Sequence, residues 1–182
     1  EFVGIATSEV FENSDILTAV ILDGLTSIGN SAFYNCQMLT SVVIPNSVMS
    51  IGRFAFSNCP SLTSVNIGSA VKSIGYYTSS DCKSLTSIVI PDSVTTIGDW
   101  AFGSCSGLKS VTIGSGVTDI GIRAFTNCSS LSSITCYATT APDIGSRIFD
   151  SLPTNGKLYV PGGSADRRWL SSIPSGWTSE YL

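Results

Sequence analysis

Six cysteines are the residues of this sequence best suited to chemistry. Five of them, Cys36, Cys59, Cys82, Cys105 and Cys128, recur every 23 residues, and Cys136 stands apart. An even number of thiols in a secreted chain invites a disulfide framework. Clustered pairs would instead suggest zinc ligands. Neither fits, because no C-x-x-C pair occurs and the same slot holds Ser14 in the first copy and Leu152 in the last. A slot that accepts serine, cysteine or leucine selects for size, so these positions read as buried, unpaired thiols. Cys136 stands where Ile113 stands one repeat earlier, at an inward strand position. The carboxylates Asp92, Asp99, Asp119 and Asp143 show no column pairing of the kind glycoside hydrolysis requires, Asp99 and Asp119 being the nearest approach. With no histidine in the chain, Ser-His-Asp and Cys-His nucleophile sets are excluded. No phosphate-binding glycine loop appears either. The reading is of a chain without enzymatic chemistry, metal or cofactor.

The elements that carry these residues follow from a repeat. Ile-Gly recurs at Ile28-Gly29, Ile51-Gly52, Ile74-Gly75, Ile97-Gly98 and Ile120-Gly121, and Leu39, Leu62, Leu85, Leu108 and Leu131 keep the same 23-residue period. One unit, residues 39–61, reads LTSVVIPNSVMSIGRFAFSNCPS. With a 22-residue offset, Phe11, Asn13, Ser14 and Leu17 fall under Phe33, Asn35, Cys36 and Leu39. With a 24-residue offset, Ile144-Gly145, Phe149 and Leu152 fall under Ile120-Gly121, Phe125 and Cys128. The slips lie at the turns 22–24 and 138–142, where loops tolerate length changes.

Composition sets the class. The 182 residues are 43% hydrophobic and only 12% charged, which excludes a disordered acidic chain. A net charge of −4 argues against nucleic acid, whose binding needs a basic face. Mean hydropathy is +0.33, yet no apolar run approaches the ~20 residues that span a bilayer.

Within a unit, Val42 and Ile44 share one strand face while Ser41 and Val43 take the other. Pro45-Asn46-Ser47 is turn chemistry. Val48 and Ile51 point inward from a second extended stretch, and 53–59 is long enough for one or two helical turns. A 23-residue coil cannot bury its own apolar side, so coils must stack about 4.8 Å apart into a solenoid.

The unit L-T-S-V-x-I-P-x-S-V-x-x-I-G-x-x-A-F-x-x-C resembles the BspA-like class of leucine-rich repeats. The tail from Leu158-Tyr159-Val160-Pro161 to a closing Trp resembles that family's C-terminal end. The resemblance implies a leucine-rich-repeat solenoid, β-rich with short helical turns, of about six stacked coils (residues 1–152) with a C-terminal strand and helix cap (153–182). It also implies a bacterial secreted or surface protein that adheres to host or microbial proteins. In the cap, Ser164 is the N-cap of a helical stretch 165–170, and Trp169, Leu170, Ile173 and Trp177 cover the last coil. Beginning at Glu1 within a repeat, the chain reads as a mature or trimmed piece, so the missing signal segment says nothing about export.

Six phenylalanines, Phe11, Phe33, Phe56, Phe102, Phe125 and Phe149, form one core column that Ser79 interrupts. Tyr76 or Tyr77 is expected to swing into that gap. Asn13, Asn35, Asn58, Asp81, Ser104 and Asn127 form a polar structural column.

Binding must come from positions that vary between coils. The outward strand positions Ser64, Asn66, Ser87, Val89, Ser110 and Thr112 make a flat, almost uncharged face. In Ile-Gly-x-x, the second x gives Phe54, Tyr77, Trp100 and Arg123 on successive coils, a row with Arg123 placed for cation–π contact with Trp100. Two roles are open for that row: an outward binding stripe, or packing that covers the coil. The leading reading is a protein-binding or adhesion module, and a carbohydrate-binding module using the aromatic row is the alternative.

Overall fold

The computed structural model describes residues 2–4, 11–15, 18–21, 24–161 and 173–182. It is a parallel β-solenoid in which six successive coils each contribute one strand to a front wall and one to a second wall. The front wall is built from β1 (Phe2–Gly4), β2 (Thr18–Ile21), β4 (Ser41–Val43), β6 (Ser64–Asn66), β8 (Ser87–Ile90), β10 (Ser110–Ile113), β12 (Ser133–Cys136), β14 (Lys157–Val160) and β15 (Thr178–Tyr181). The second wall is one six-stranded sheet of two-residue strands: β3 (Ser27–Ile28), β5 (Ser50–Ile51), β7 (Ser73–Ile74), β9 (Thr96–Ile97), β11 (Asp119–Ile120) and β13 (Asp143–Ile144). Register follows the repeat: Val111 pairs Ile134 and Ile88 in the front wall, and Ile74 pairs Ile51 and Ile97 in the second.

The third side of each coil departs from the expected helical turns. Among the described residues there is no helix. Two residues four apart, Phe54 (φ 56°) and Asn58 (φ 57°), take left-handed conformations that end any helical run, and the same pair of slots does so in the neighbouring coils. The backbone donors explain the preference. Phe54 N donates to Tyr76 O at 2.9 Å, Phe56 N to Thr78 O at 2.7 Å and Asn58 N to Ser80 O at 2.8 Å. Amide groups that a helix would spend within the coil are aimed at the next coil instead.

The core between the three sides is columnar. Phe11, Phe33 and Phe56 stack at 5.0 and 5.4 Å, and Phe102 and Phe125 at 5.5 Å. Neither tyrosine fills the interruption at Ser79, contrary to expectation. Tyr76 is 52% exposed and Tyr77 stacks between Phe54 and Trp100, because its left-handed backbone directs the ring away from the core. Ser79 and Thr78 are themselves buried, with Thr78 Oγ1 donating to Gly75 O at 2.7 Å.

The polar column is a side-chain ladder: Asn35 Nδ2 donates to Asn13 Oδ1 at 2.5 Å, and Asn58 Nδ2 to Asn35 Oδ1 at 2.6 Å. At the C-terminal end Trp177 is buried, stacks on Phe149 at 6.5 Å and donates Nε1–H to Pro153 O at 2.6 Å. Ile173 packs partly buried against the same core. Ser164, the stretch 165–170, Trp169 and Leu170 lie outside the described residues.

All six cysteines are free and buried. Five thiols donate to a carbonyl of the preceding coil, among them Cys82 Sγ to Phe56 O at 3.1 Å and Cys105 Sγ to Ser79 O at 3.0 Å. Burial pushes the Cys82 and Cys128 thiols up to about 12, which keeps them protonated and unreactive. A thiol-specific reagent should therefore modify no cysteine in the native protein and all six in denaturant. A count two short after unfolding without reductant would establish a disulfide and contradict the structure.

Candidate functional site

Phe54, Tyr77, Trp100 and Arg123 each follow the same corner, so the coil stacking lays them in one row. Phe54 and Tyr77 are 5.1 Å apart with 18° between planes, and Tyr77 and Trp100 are 5.6 Å apart with 6°. The Arg123 guanidinium sits 5.1 Å from the Trp100 ring centre, so the expected cation–π contact is present. At the other end Tyr34 meets Phe54 edge-on at 6.4 Å. All four row residues are half-buried. Trp100 also lies on Gly103, where a Cβ would stand 2.6 Å from its Cε3, so only glycine fits beneath the ring.

The ring faces are stacked on one another, and the two ends of the row are covered by Arg123 and Tyr34. Sugar recognition by aromatic residues uses an open ring face, and the row presents edges. The backbone beneath the row is strained: Phe54, Tyr77, Trp100 and Arg123 all have φ between 53° and 56°.

The front wall offers a different surface. Ser64, Asn66, Ser87 and Val89 are exposed, while Ser110 and Thr112 are half-buried. Val43 (43% exposed), Val89 (60%) and Tyr137 (48%) stand out of it as apolar projections. Val89, Ile90, Pro91, Asp92, Thr112, Gly114, Ser115 and Tyr137 line a depression of about 500 Å³. Gly114 lets the backbones of two coils approach here, because a Cβ there would lie 2.5 Å from Asp92 N. Tyr137 was not among the residues singled out from the sequence. It occupies the position held by Pro91 and Gly114 in earlier coils, and that size change was the available signal.

A second depression, of about 590 Å³, lies over the second wall and is bordered by Tyr76, Asp99, Asp119 and Asp143. Here the sequence reading needs correction. Asp119 does have a column partner, since it pairs in register with Asp143 on β13. The extra residue in the loop 138–142 lengthens the period to 24 and hides the pairing from a 23-residue frame. The aspartates otherwise serve the backbone: Asp99 Oδ1 accepts from Ile122 N at 2.9 Å, and Asp92 Oδ1 from Ser115 N at 2.7 Å. A hydrogen bond to the Asp99 carboxylate holds the Tyr76 hydroxyl above its usual pKa. Among the described residues no group of three or more His, Cys, Asp or Glu is placed to hold a metal ion.

Comparison with known proteins follows the repeat. The model of the BspA type leucine rich repeat region matches residues 5–132 and 72–163, with six copies. No curated protein matches the sequence. A leucine rich cell surface protein from Faecalibacterium prausnitzii A2-165 is 38% identical over 68% of this chain, with a TM-score of 0.64. This chain spans only 32% of that structure's length. The Treponema pallidum leucine rich repeat protein is 25% identical over 88% of this chain and 85% of its own, with a TM-score of 0.64. The pneumococcal vaccine antigen PcpA shares the fold, with a TM-score of 0.73 at 18% identity over 92% of this chain and 42% of its own.

The backbone role of the aromatic row is measurable. Tyr77→Ala removes the ring stacks with Phe54, Trp100 and Tyr76, and Tyr77→Gly removes the same stacks while relieving the left-handed strain. Gly should therefore be the more stable variant by about 1 kcal/mol in denaturant titration, the reverse of its rank at ordinary positions. A more stable Ala variant would mean that the corner is unstrained.

Proposed function

Because the chain belongs to the BspA-type leucine-rich-repeat family, we propose that it is a non-catalytic scaffold, part of a bacterial surface or secreted protein, that docks a protein partner on its front wall. The carrying observation is the depression bounded by Val89, Thr112 and Tyr137 on a wall whose outward columns hold no charged side chain from Ser41 to Thr135. Protein interfaces concentrate their energy in a few apolar anchors seated in such depressions, with charge depleted at the centre. The flanking Ser64, Asn66, Ser87 and Ser110 supply hydroxyl and amide groups for a polar rim. A host or microbial surface or matrix protein is the partner class.

A surface location is supported by the family and by the F. prausnitzii cell surface protein. No helix among the described residues is long and apolar enough to cross a membrane. The same reading assigns the aromatic row to packing, which leaves a glycan without an open ring face.

The test is capture from extracellular-matrix and bacterial-surface extracts, followed by affinity measurement with the captured protein. Val89→Glu combined with Thr112→Glu should weaken binding at least about tenfold, or about 1.4 kcal/mol, by burying charge at the anchor. Tyr77→Ala should leave affinity unchanged, and a glycan array should stay blank. Binding that survives the front-wall change and is lost with Tyr77→Ala, or a positive array, would contradict the proposal.

A further inference from the structure

The front wall is not one sheet. Among the described residues every neighbouring pair of front strands forms a parallel ladder except β6 and β8, so the wall divides into a four-stranded and a five-stranded sheet. The discontinuity extends beyond the strands themselves. Thr63 N donates to Thr40 O, Lys109 N to Thr86 O and Ser132 N to Lys109 O, at 2.8–3.0 Å, and the column skips the bond from Thr86 to Thr63. At the other end of the strand, Gly114 N donates to Ile90 O and Tyr137 N to Ile113 O, both at 2.9 Å. The equivalent position just after β8 is Pro91, which has no N–H to give to Ile67. Pro45 stands in the same slot after β4, whose ladder with β2 is intact, so the proline accompanies the seam without causing it.

The core thins at the same place. Ser79, on the coil that carries β6, breaks the phenylalanine column between the Phe33–Phe56 and Phe102–Phe125 stacks. Val65 is only half-buried, whereas Val42, Ile88, Val111 and Ile134 in the same column are buried at 0–2% exposure. The other two sides of the coil stay joined. β7 pairs β9, Gly98 N donates to Ile74 O at 2.9 Å, and Ser79 N donates to Ala101 O at 2.7 Å.

We infer that the solenoid is jointed between β6 and β8: the two halves flex about the intact second wall and turn side, and the front wall opens and closes along the seam. A continuous phenylalanine column would resist such bending because packed cores transmit strain. The small Ser79 side chain removes the ring that would resist at this level. The motion changes the distance between Asn66 and Val89, which lie on opposite sides of the seam. It is a property of the chain itself and stands whether or not a partner docks on that wall.

Residue-resolved amide hydrogen exchange on the whole chain tests the joint. Amides of Ser64–Asn66 and Ser87–Ile90 should exchange at least about tenfold faster than those of Ser110–Ile113 and Ser133–Cys136, after correction for intrinsic rates. Amides of β7 and β9 should remain as protected as those of β11. A folded Ser79→Phe variant should slow exchange at the seam. Equal protection across the front strands would overturn the inference. So would equally fast exchange on the second wall, which would mean that the whole coil frays. Unchanged seam exchange in folded Ser79→Phe would overturn the part given to Ser79, and if that variant does not fold, the wild-type comparison decides alone.

Discussion

The rest of the structure depends on where each coil's backbone amides go. A coil of 23 residues cannot satisfy its own polar backbone or bury its own apolar side, so both tasks fall to the next coil in register. Phe56 N reaching Thr78 O, Gly75 N reaching Ile51 O and Lys109 N reaching Thr86 O are one bond type on three sides of the stack. An unpaired buried amide costs roughly 1–3 kcal/mol, so any slip of register would be punished at many positions together. That constraint explains why leucine, isoleucine and phenylalanine hold their columns while outward residues drift.

It also explains the features that look wasteful. Bulky residues at left-handed φ are costly, yet Phe54, Tyr77, Trp100 and Arg123 all adopt it, because that corner turns the following amides outward to the neighbour. Stacking the rings offsets the strain. Asn46, Asp92 and Asp99 accept amide protons from the following coil, so side chains that resemble chemistry serve the same backbone requirement.

Much of this was legible from columns alone. The solenoid, the phenylalanine spine, the unpaired thiols, the burial of Cys136 and the Arg123–Trp100 contact all follow from asking which positions repeat and what size they accept. Most of the failures concern direction, which column membership does not encode. Residues 53–59 have the length of a helical turn, but the left-handed slots send their donors between coils. Tyr76 and Tyr77 have the size to fill the gap beside Ser79, but the backbone points them elsewhere. Asp119 and Asp143 meet because a loop insertion restores their register. The split front wall falls where the ring is missing at Ser79 and where Pro91 follows β8. Each is visible in the sequence, and only the fold places them at one level.

The central claim is that inter-coil register, more than any single contact, holds the chain together. Deleting residues 85–107, one full period, tests it by thermal unfolding followed by circular dichroism. The shortened chain should remain folded, with the same β spectrum and a cooperative transition, because Ser84 then leads into Leu108 with every column intact. Deleting residues 85–95 instead puts the following columns out of register and should abolish the transition. A chain that unfolds on loss of one full period, or that tolerates the out-of-register deletion equally well, would contradict the account.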